Sequence, residues 1–262
     1  MKIASWNVNS IKQRLEHVKD WLKQDSPDIL MIQELKGLEF PKEVFSGSGY
    51  SSEYVSQKGN NGVAVISPHD IEVIHTSLPG DEEDTQARYL EVDIQGLRAI
   101  NIYAPNGNPV DTEKFTYKLN WLKRLEERVH DLLDQEVAFL IGGDFNIIPE
   151  NRDCHDPKAW AGDALFQPES RQFYRRFLYA GLTDAFRALH AEDGAYTFWD
   201  YQRGAWPQNH GIRIDHFLLS PRCADRLEKC WIDKSPRGLE KPSDHTVIAI
   251  ELEGEKLLRR VA

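Results

Sequence analysis

The stretch RYLEVDIQGLRAINIYAPN, residues 88–106, decides the fold. Apolar and polar residues alternate on either side of Gln95 and Gly96, which predicts two strands joined by a two-residue turn of the kind that closes a twisted hairpin. A hairpin requires antiparallel pairing, so a uniform βαβ array does not fit. Working outward, KIASWNV (2–8), DILMIQE (28–34), GVAVIS (62–67), EVAFLI (136–141), YTFWDY (196–201), IRIDHFLLS (212–220), EKCWID (228–233) and HTVIAIEL (245–252) are further expected strands. Ser10 is the expected N-cap of a helix whose Ile11, Leu15, Val18 and Leu22 share one face and which Pro27 stops. Asp111 is expected to cap a long amphipathic helix that sets Phe115, Leu119, Leu122, Val129 and Leu132 on one face. Residues 169–180 predict another helix, ended by Gly181. Strands outnumber helices, which predicts two mainly antiparallel sheets packed face to face with helices outside.

Composition limits the function classes. The chain has 262 residues, 40% of them hydrophobic and 28% charged, with a net charge of -10. No apolar run approaches the ~20 residues of a membrane span. The N-terminus MKIASWNVNS lacks the apolar core of a signal peptide and begins a strand, so an intracellular, cytoplasmic protein is expected. Cys154, Cys223 and Cys230 match no zinc spacing and suit reduced, structural thiols; Cys154 beside His155 is better explained by a local loop than by a metal. The acidic balance argues against holding nucleic acid by overall charge, yet leaves room for a nuclease whose carboxylates bind cations and whose basic face is local. Repeats and domain linkers are not visible, so residues 1–262 are expected to form one domain. The basic tail KLLRRVA (256–262) is expected to be a frayed end or short helix.

Polar residues recur at strand ends. Singly, each of Asn7, Glu34, Tyr103, Asp144, Asn146 and His245 is explained by turn chemistry. Together they suggest a site. In FLIGGDFNII (139–148) alternation sets Asp144 and Asn146 on one face and Phe145 on the other, and paired glycines permit close approach. A carboxylate beside an amide offers a proton acceptor and a donor to an anionic oxygen, which suits activating water beside a phosphate. Asn7 and Glu34 end other strands, where a lone anion needs a cation; a hard ion such as Mg²⁺, which takes one or two carboxylates and keeps waters, matches so few acids. KPSDHTVIAI places Asp244 and His245 before a strand, and His suits proton exchange or phosphate contact near neutral pH. In RIDHFLL, Asp215 and His216 must face opposite sides. Asp215, expected to share its side with Arg213 and Phe217, is the one that can orient a catalytic imidazole.

These segments, SWNVNS, PDILMIQELK, GVAVIS, INIYAPNG, IGGDFNI, LTDAFR, YTFWDY, GIRIDHFLLSP and KPSDHTVI, occur in this order in a sequence that resembles the exonuclease III family of abasic-site DNA repair endonucleases, within the endonuclease/exonuclease/phosphatase superfamily. The resemblance spans almost the whole chain and implies a four-layered α/β sandwich with the site at one edge of the paired sheets. It implies Glu34 as the main Mg²⁺ ligand, assisted by Asn7 and Asp244, with Mn²⁺ as a substitute ion and with Asp144, Asn146 and His245 within reach of metal or phosphate. Asp144 would activate water, Asn146 would stabilise the transition state, His245 aligned by Asp215 would contact the phosphate, and Tyr103 would lie by the phosphate or leaving group.

Asn106 in YAPN would bind substrate. Phe198, Ile212 and Ile214 would line a pocket for an extruded abasic sugar, although an aliphatic pair at the last two positions departs from the Trp or Leu common in the family. The long polar segment 149–169 is expected to be a loop near DNA. The implied activity is Mg²⁺-dependent cleavage 5′ to abasic sites with trimming of 3′ ends, by a monomer acting on duplex DNA. The alternatives are a relative acting on phosphoinositide or sphingolipid headgroups, which lacks membrane-targeting support here, and a catalytically inactive nucleic-acid binding module.

Overall fold

A computed structural model describes residues 1–254, so the KLLRRVA tail lies outside the described residues. In chain order the elements are β1 (Lys2–Asn7), α1 (Ile11–Asp25), β2 (Ile29–Gln33), α2 (Lys42–Ser46), β3 (Ser51–Val55), β4 (Val63–Ser67), β5 (Glu72–His75), β6 (Tyr89–Ile94) and β7 (Leu97–Tyr103). They continue with α3 (Glu113–Asp134), β8 (Phe139–Asp144), α4 (Pro157–Trp160), α5 (Pro168–Tyr179), β9 (Thr183–Asp184), α6 (Ala185–Leu189), β10 (Asp215–Leu219), α7 (Pro221–Ala224), β11 (Leu227–Asp233) and β12 (Val247–Leu252).

The strands form two six-stranded sheets, ordered β11-β12-β1-β2-β4-β3 and β5-β6-β7-β8-β10-β9. In each, a single parallel pair, β1 with β2 and β7 with β8, is flanked on both sides by antiparallel neighbours. Long helices make the two parallel crossovers, α1 for the first sheet and α3 for the second. Connectivity therefore repeats although no sequence repeat is visible. The hairpin turn falls where expected: Gln95 and Gly96 both take positive φ, and Ile94 pairs with Leu97.

The inner faces of the sheets pack together through Ile3, Met31, Val65, Leu90, Val92, Phe217 and Ile248. Outside the first sheet, Val18, Trp21 and Leu22 of α1 cover Ala4, Leu30 and Ile32. Outside the second, Trp121, Leu125 and Val129 of α3 and Phe177 of α5 cover Ile100, Phe139 and Ile141. The result is helix, sheet, sheet, helix, each buried aliphatic side chain contributing about 1.5–3 kcal/mol. Gly142 lets the sheets close: a Cβ there would lie 2.4 Å from Phe217 and 2.8 Å from the Met31 sulfur. Among the described residues no helix is long and apolar enough to cross a membrane.

Several local expectations are corrected. Ser10 occupies the N-cap of α1 as expected, but its side chain makes no cap hydrogen bond. Thr112, not Asp111, occupies the N-cap of α3, because Asp111 is in a left-handed turn. Phe115 and Leu119 are half-buried, and Lys118, Trp121 and Leu125 join the buried face instead. YTFWDY forms no ladder; Phe198 makes isolated bridges to Ile212 and to His245, so the segment ties two strand approaches together at one point. Segment 149–169 contains a 3₁₀ turn at Asn151–Asp153 and the single turn of α4.

Arg213 does not share the Asp215 side. β10 begins only at Asp215, so alternation does not extend back to Arg213, whose Nη1 lies 3.0 Å from His216 Nδ1 on the opposite face.

Candidate active site

Strand direction alone gathers the polar strand ends at one edge. Parallel β1 and β2 deliver Asn7 and Glu34 at their C-terminal ends, and antiparallel β12 brings His245 to the same edge just before it starts. In the second sheet Tyr103 and Asp215 are both register partners of Asp144.

Asn7 bridges the sheets at this edge: its Nδ2 donates to Glu34 Oε2 and to Asp144 Oδ2, both at 3.0 Å. Glu34 has positive φ, and its Oε1 pairs with Lys36 Nζ at 2.8 Å. The Lys36 ammonium also donates to Asn9 Oδ1, and Asn9 Nδ2 donates to Asp244 Oδ1 at 2.9 Å. Asp244 thus reaches the Glu34 side through Asn9 and Lys36. Two carboxylates converge on one donor there, and all the anionic ligand atoms are hard oxygens. That set of oxygens fits a hard divalent cation, which would add its double charge to the Lys36 ammonium and the Asn7 N–H that face these carboxylates.

Asp144 is buried. Its Oδ1 accepts the Asn146 backbone N–H at 2.9 Å, and its Oδ2 lies 3.8 Å from His245 Nε2. Burial, reinforced by Asp215, raises the Asp144 carboxyl to about 7 although His245 opposes the shift. His245 Nδ1 donates to Asp215 Oδ2 at 2.8 Å. Burial works against the imidazolium, but Asp215 and Asp144 outweigh it and bring His245 to about 10. Asp215 Oδ1 is buried without a hydrogen-bond partner. Ligand atoms of Asp144, Asp215 and His245 fall within 4.8 Å of one another, a grouping that could hold a metal. An imidazolium has no lone pair to give, so proton and metal compete for His245.

Asn146 follows β8 with φ 49, a conformation that Asn tolerates better than most residues. The convergence of Asp144 and Asn146 is therefore made by a turn rather than by pleat alternation, while Phe145 packs in the outer core as expected. Asn146 Nδ2 donates to Ala104 O at 2.9 Å, and exposed Asn106 approaches Asn146 Oδ1 at 3.4 Å. Tyr103 is half-buried with the Arg88 guanidinium 5.0 Å above its ring. Burial, then Glu34 and Asp144, raises its hydroxyl well above the ordinary value, so it stays a donor.

Phe198 stacks edge-on against His245 at 5.0 Å. Phe198 and Ile212 line an open cleft of about 780 Å³ with Trp160, His155 and His210. Ile214 does not line that cleft; it packs with Ile148, Cys154 and Leu165 in the same buried cluster as Ile212 and Phe198. Cys154 is buried in the same cluster, where burial raises its thiol to about 11, so it is a packing residue.

Two polar groups escaped the sequence analysis. Lys118 is fully buried on α3 and donates to the carbonyls of Pro105, Asn106 and Asn146 at 3.1, 3.2 and 2.5 Å, holding two site loops together. Its only signal was a lysine on an otherwise apolar helix face. Gln33 donates to Asn101 Oδ1 at 2.7 Å and to Ser5 Oγ at 3.0 Å, a buried polar tie between the sheets directly under the site. In sequence these looked like ordinary strand residues.

This fold and this edge define a class, and comparison with known proteins agrees: the chain belongs to the endonuclease/exonuclease/phosphatase family, which matches residues 4–245. Within it, the chain is 33% identical to exodeoxyribonuclease III of Haemophilus influenzae, over 96% of this chain and 99% of that one. Among solved structures it is similar to the 3′ phosphatase NExo from Neisseria bound to a product DNA hairpin, with 38% identity, a TM-score of 0.94 and coverage of 97% and 100%. It is also similar to an AP endonuclease from Archaeoglobus fulgidus, with 37% identity, a TM-score of 0.93 and coverage of 97% and 100%.

Proposed function

We propose that this chain is a Mg²⁺-dependent DNA repair phosphodiesterase that hydrolyses the backbone 5′ to abasic sites and trims 3′ ends, acting as a monomer. The observation that carries the proposal is the Asp144 carboxylate, buried, raised toward neutrality and set between the Asn7 and Asn146 donors, with the Asp215–His245 pair beside it. The relatives with named DNA activities support the substrate class.

Asp144 takes the proton of the attacking water, because a carboxyl near pH 7 is a competent base at neutral pH and its two donors fix its orientation. His245, charged and aimed by Asp215, presents Nε2 to a nonbridging phosphate oxygen, and the Asn146 amide donates to the same charge as it grows in the transition state. Tyr103, kept protonated, donates beside the leaving oxygen. A divalent ion held by Glu34, Asn7 and Asp244 would offset charge on the nonbridging and leaving oxygens. Phe198 and Ile212 offer an apolar wall to an extruded sugar next to His245. Three buried, unpaired cysteines suit a reducing compartment, and we place the chain in the cytoplasm.

The test is a gel assay on one duplex with an abasic analogue and one with a 3′ phosphate, each with Mg²⁺, Mn²⁺ or chelator. The expected outcome is metal-dependent incision 5′ to the analogue and removal of the 3′ phosphate. Absence of both activities with either ion rejects the proposal.

A further inference from the structure

His216 follows the catalytic Asp215 in the RIDH motif, takes no part in the proposed chemistry, and is fully buried. It lies between the rings of Phe145 and Tyr174, with centroids 5.4 and 4.9 Å away. Its Nδ1 is 3.0 Å from Arg213 Nη1, and its Nε2 is 3.0 Å from the carbonyl of Ile147. A guanidinium only donates, so Nδ1 must accept. A carbonyl only accepts, so Nε2 must carry the proton. The two partners thus lock one neutral tautomer.

Arg213 is itself fixed. Its Nε donates to Asp153 Oδ1 at 2.7 Å, its Nη2 to Asp184 Oδ2 at 2.9 Å and its Nη1 to Asp184 Oδ1 at 3.2 Å. Asp153 lies two residues before His155, where the segment that walls the cleft begins, and its backbone carbonyl accepts from Arg213 N at 2.9 Å. The Ile147 carbonyl belongs to the residue after Asn146, whose left-handed backbone is held on the other side by Lys118 at 2.5 Å.

We propose that His216 is a positioning residue for Asn146: the Arg213–His216–Ile147 chain clamps the left-handed turn that presents the Asn146 amide, and ties that turn to the wall of the substrate cleft. The inference rests on the proposed phosphodiesterase activity. His216 touches no reacting atom; it acts by keeping a donor where charge develops, and a misplacement of about 1 Å at such a donor costs on the order of 10²-fold in rate.

Three substitutions separate this role from packing. His216→Phe fills the aromatic nest but leaves one Arg213 Nη1 N–H and the Ile147 carbonyl without a partner. His216→Asn offers Arg213 an acceptor but is too short to reach Ile147, whereas His216→Gln can extend an amide N–H to that carbonyl. Steady-state kinetics on the abasic-analogue duplex, scaled to folded protein by thermal melting, should show kcat reduced about 10- to 100-fold in the Phe and Asn variants with KM unchanged, and largely restored in the Gln variant. Adding His216→Phe to an Asn146→Ala background should reduce kcat little further, because the clamp acts through that amide.

Equal kcat in all three folded variants and wild type, or a full additional loss in the Asn146→Ala background, overturns the inference. A Gln variant as impaired as Phe does so as well. Wild-type inactivity on both duplexes would instead overturn the functional proposal.

Discussion

Strand β10 has an aspartate–histidine arrangement on each face, and the two differ in how completely their polar groups are paired. On one face Arg213, Asp153, Asp184 and His216 form a closed cluster in which the guanidinium meets two carboxylates and an imidazole at 2.7–3.2 Å. Arg187 also donates to Asp153, although its Nε is buried without a partner, and the Tyr174 hydroxyl donates to Asp184 at 2.7 Å. On the other face Asp215 keeps a buried oxygen without a partner, and His245 stands 3.8 Å from Asp144, beyond hydrogen-bonding distance. A buried polar group left unpaired costs about 1–3 kcal/mol. The closed face uses its charges to hold the fold; the open face keeps charge poorly paired until a phosphate and a cation arrive.

The contrast can be broken from either side. The largest expected effect is on the open face: Asp144→Asn should lower kcat by about 10²–10⁴-fold, the range of a lost general base. DNA affinity and thermal midpoint should hold, since the amide oxygen can still accept from Asn146 N–H and the cost of burying the Asp144 charge is removed. Single-turnover cleavage with parallel binding and melting measurements checks this, and near-normal turnover would place the base elsewhere.

The next effect is on the closed face. Asp184→Ala leaves the Arg213 guanidinium with one carboxylate and removes the cap that accepts from Phe186 N–H and Arg187 N–H. Breaking a buried pair in this way is expected to cost about 3–5 kcal/mol. Urea unfolding should show the loss, and an unchanged midpoint would contradict the structural role given to the cluster.

The smallest effect sharpens the comparison through pH. Burial raises the Asp184 carboxyl, but Arg213 and His216 outweigh it and hold it at about 2; burial and Arg213 lower His216 to about 4. Both folded values lie below the ordinary ones. The Asp184 contribution is therefore complete above about 3.8 and lost toward pH 2, while that of His216 is complete above 6.5 and lost as pH falls through about 4. His245 is opposite: raised to about 10, it contributes fully below 6.5 and loses its contribution as pH rises through about 10. The closed face should thus fail in acid and the open face in alkali. Unfolding midpoints across pH for wild type, His216→Gln and Asp215→Asn check this, with the first variant flattening the acid limb and the second the alkaline limb.

Much of the candidate site was legible because strand ends are local features. Asn7, Glu34, Tyr103 and Asp144 stand at expected strand termini and Asp215 is reached by alternation against His216, and the structure brings all five to one edge. What failed was alternation carried past a strand boundary. Arg213 precedes β10 and turns to the opposite face, and YTFWDY has strand-like residues but only isolated bridges. Lys118 and the Gln33–Asn101 tie were missed because a buried polar residue is recognisable only by its partners.

By itself the sequence determined the layered architecture and the hairpin that rules out a uniform parallel sheet, since periodicity and glycine placement are properties of neighbouring residues; it also singled out GGDFN, although by an alternation that the structure replaces with a turn. Tertiary structure alone decided how Asn146 is presented, which face of β10 is closed and which is open, and that Ile214 belongs to the core. Those outcomes depend on contacts between segments far apart in the chain, where a buried charge is stable only if a distant partner reaches it.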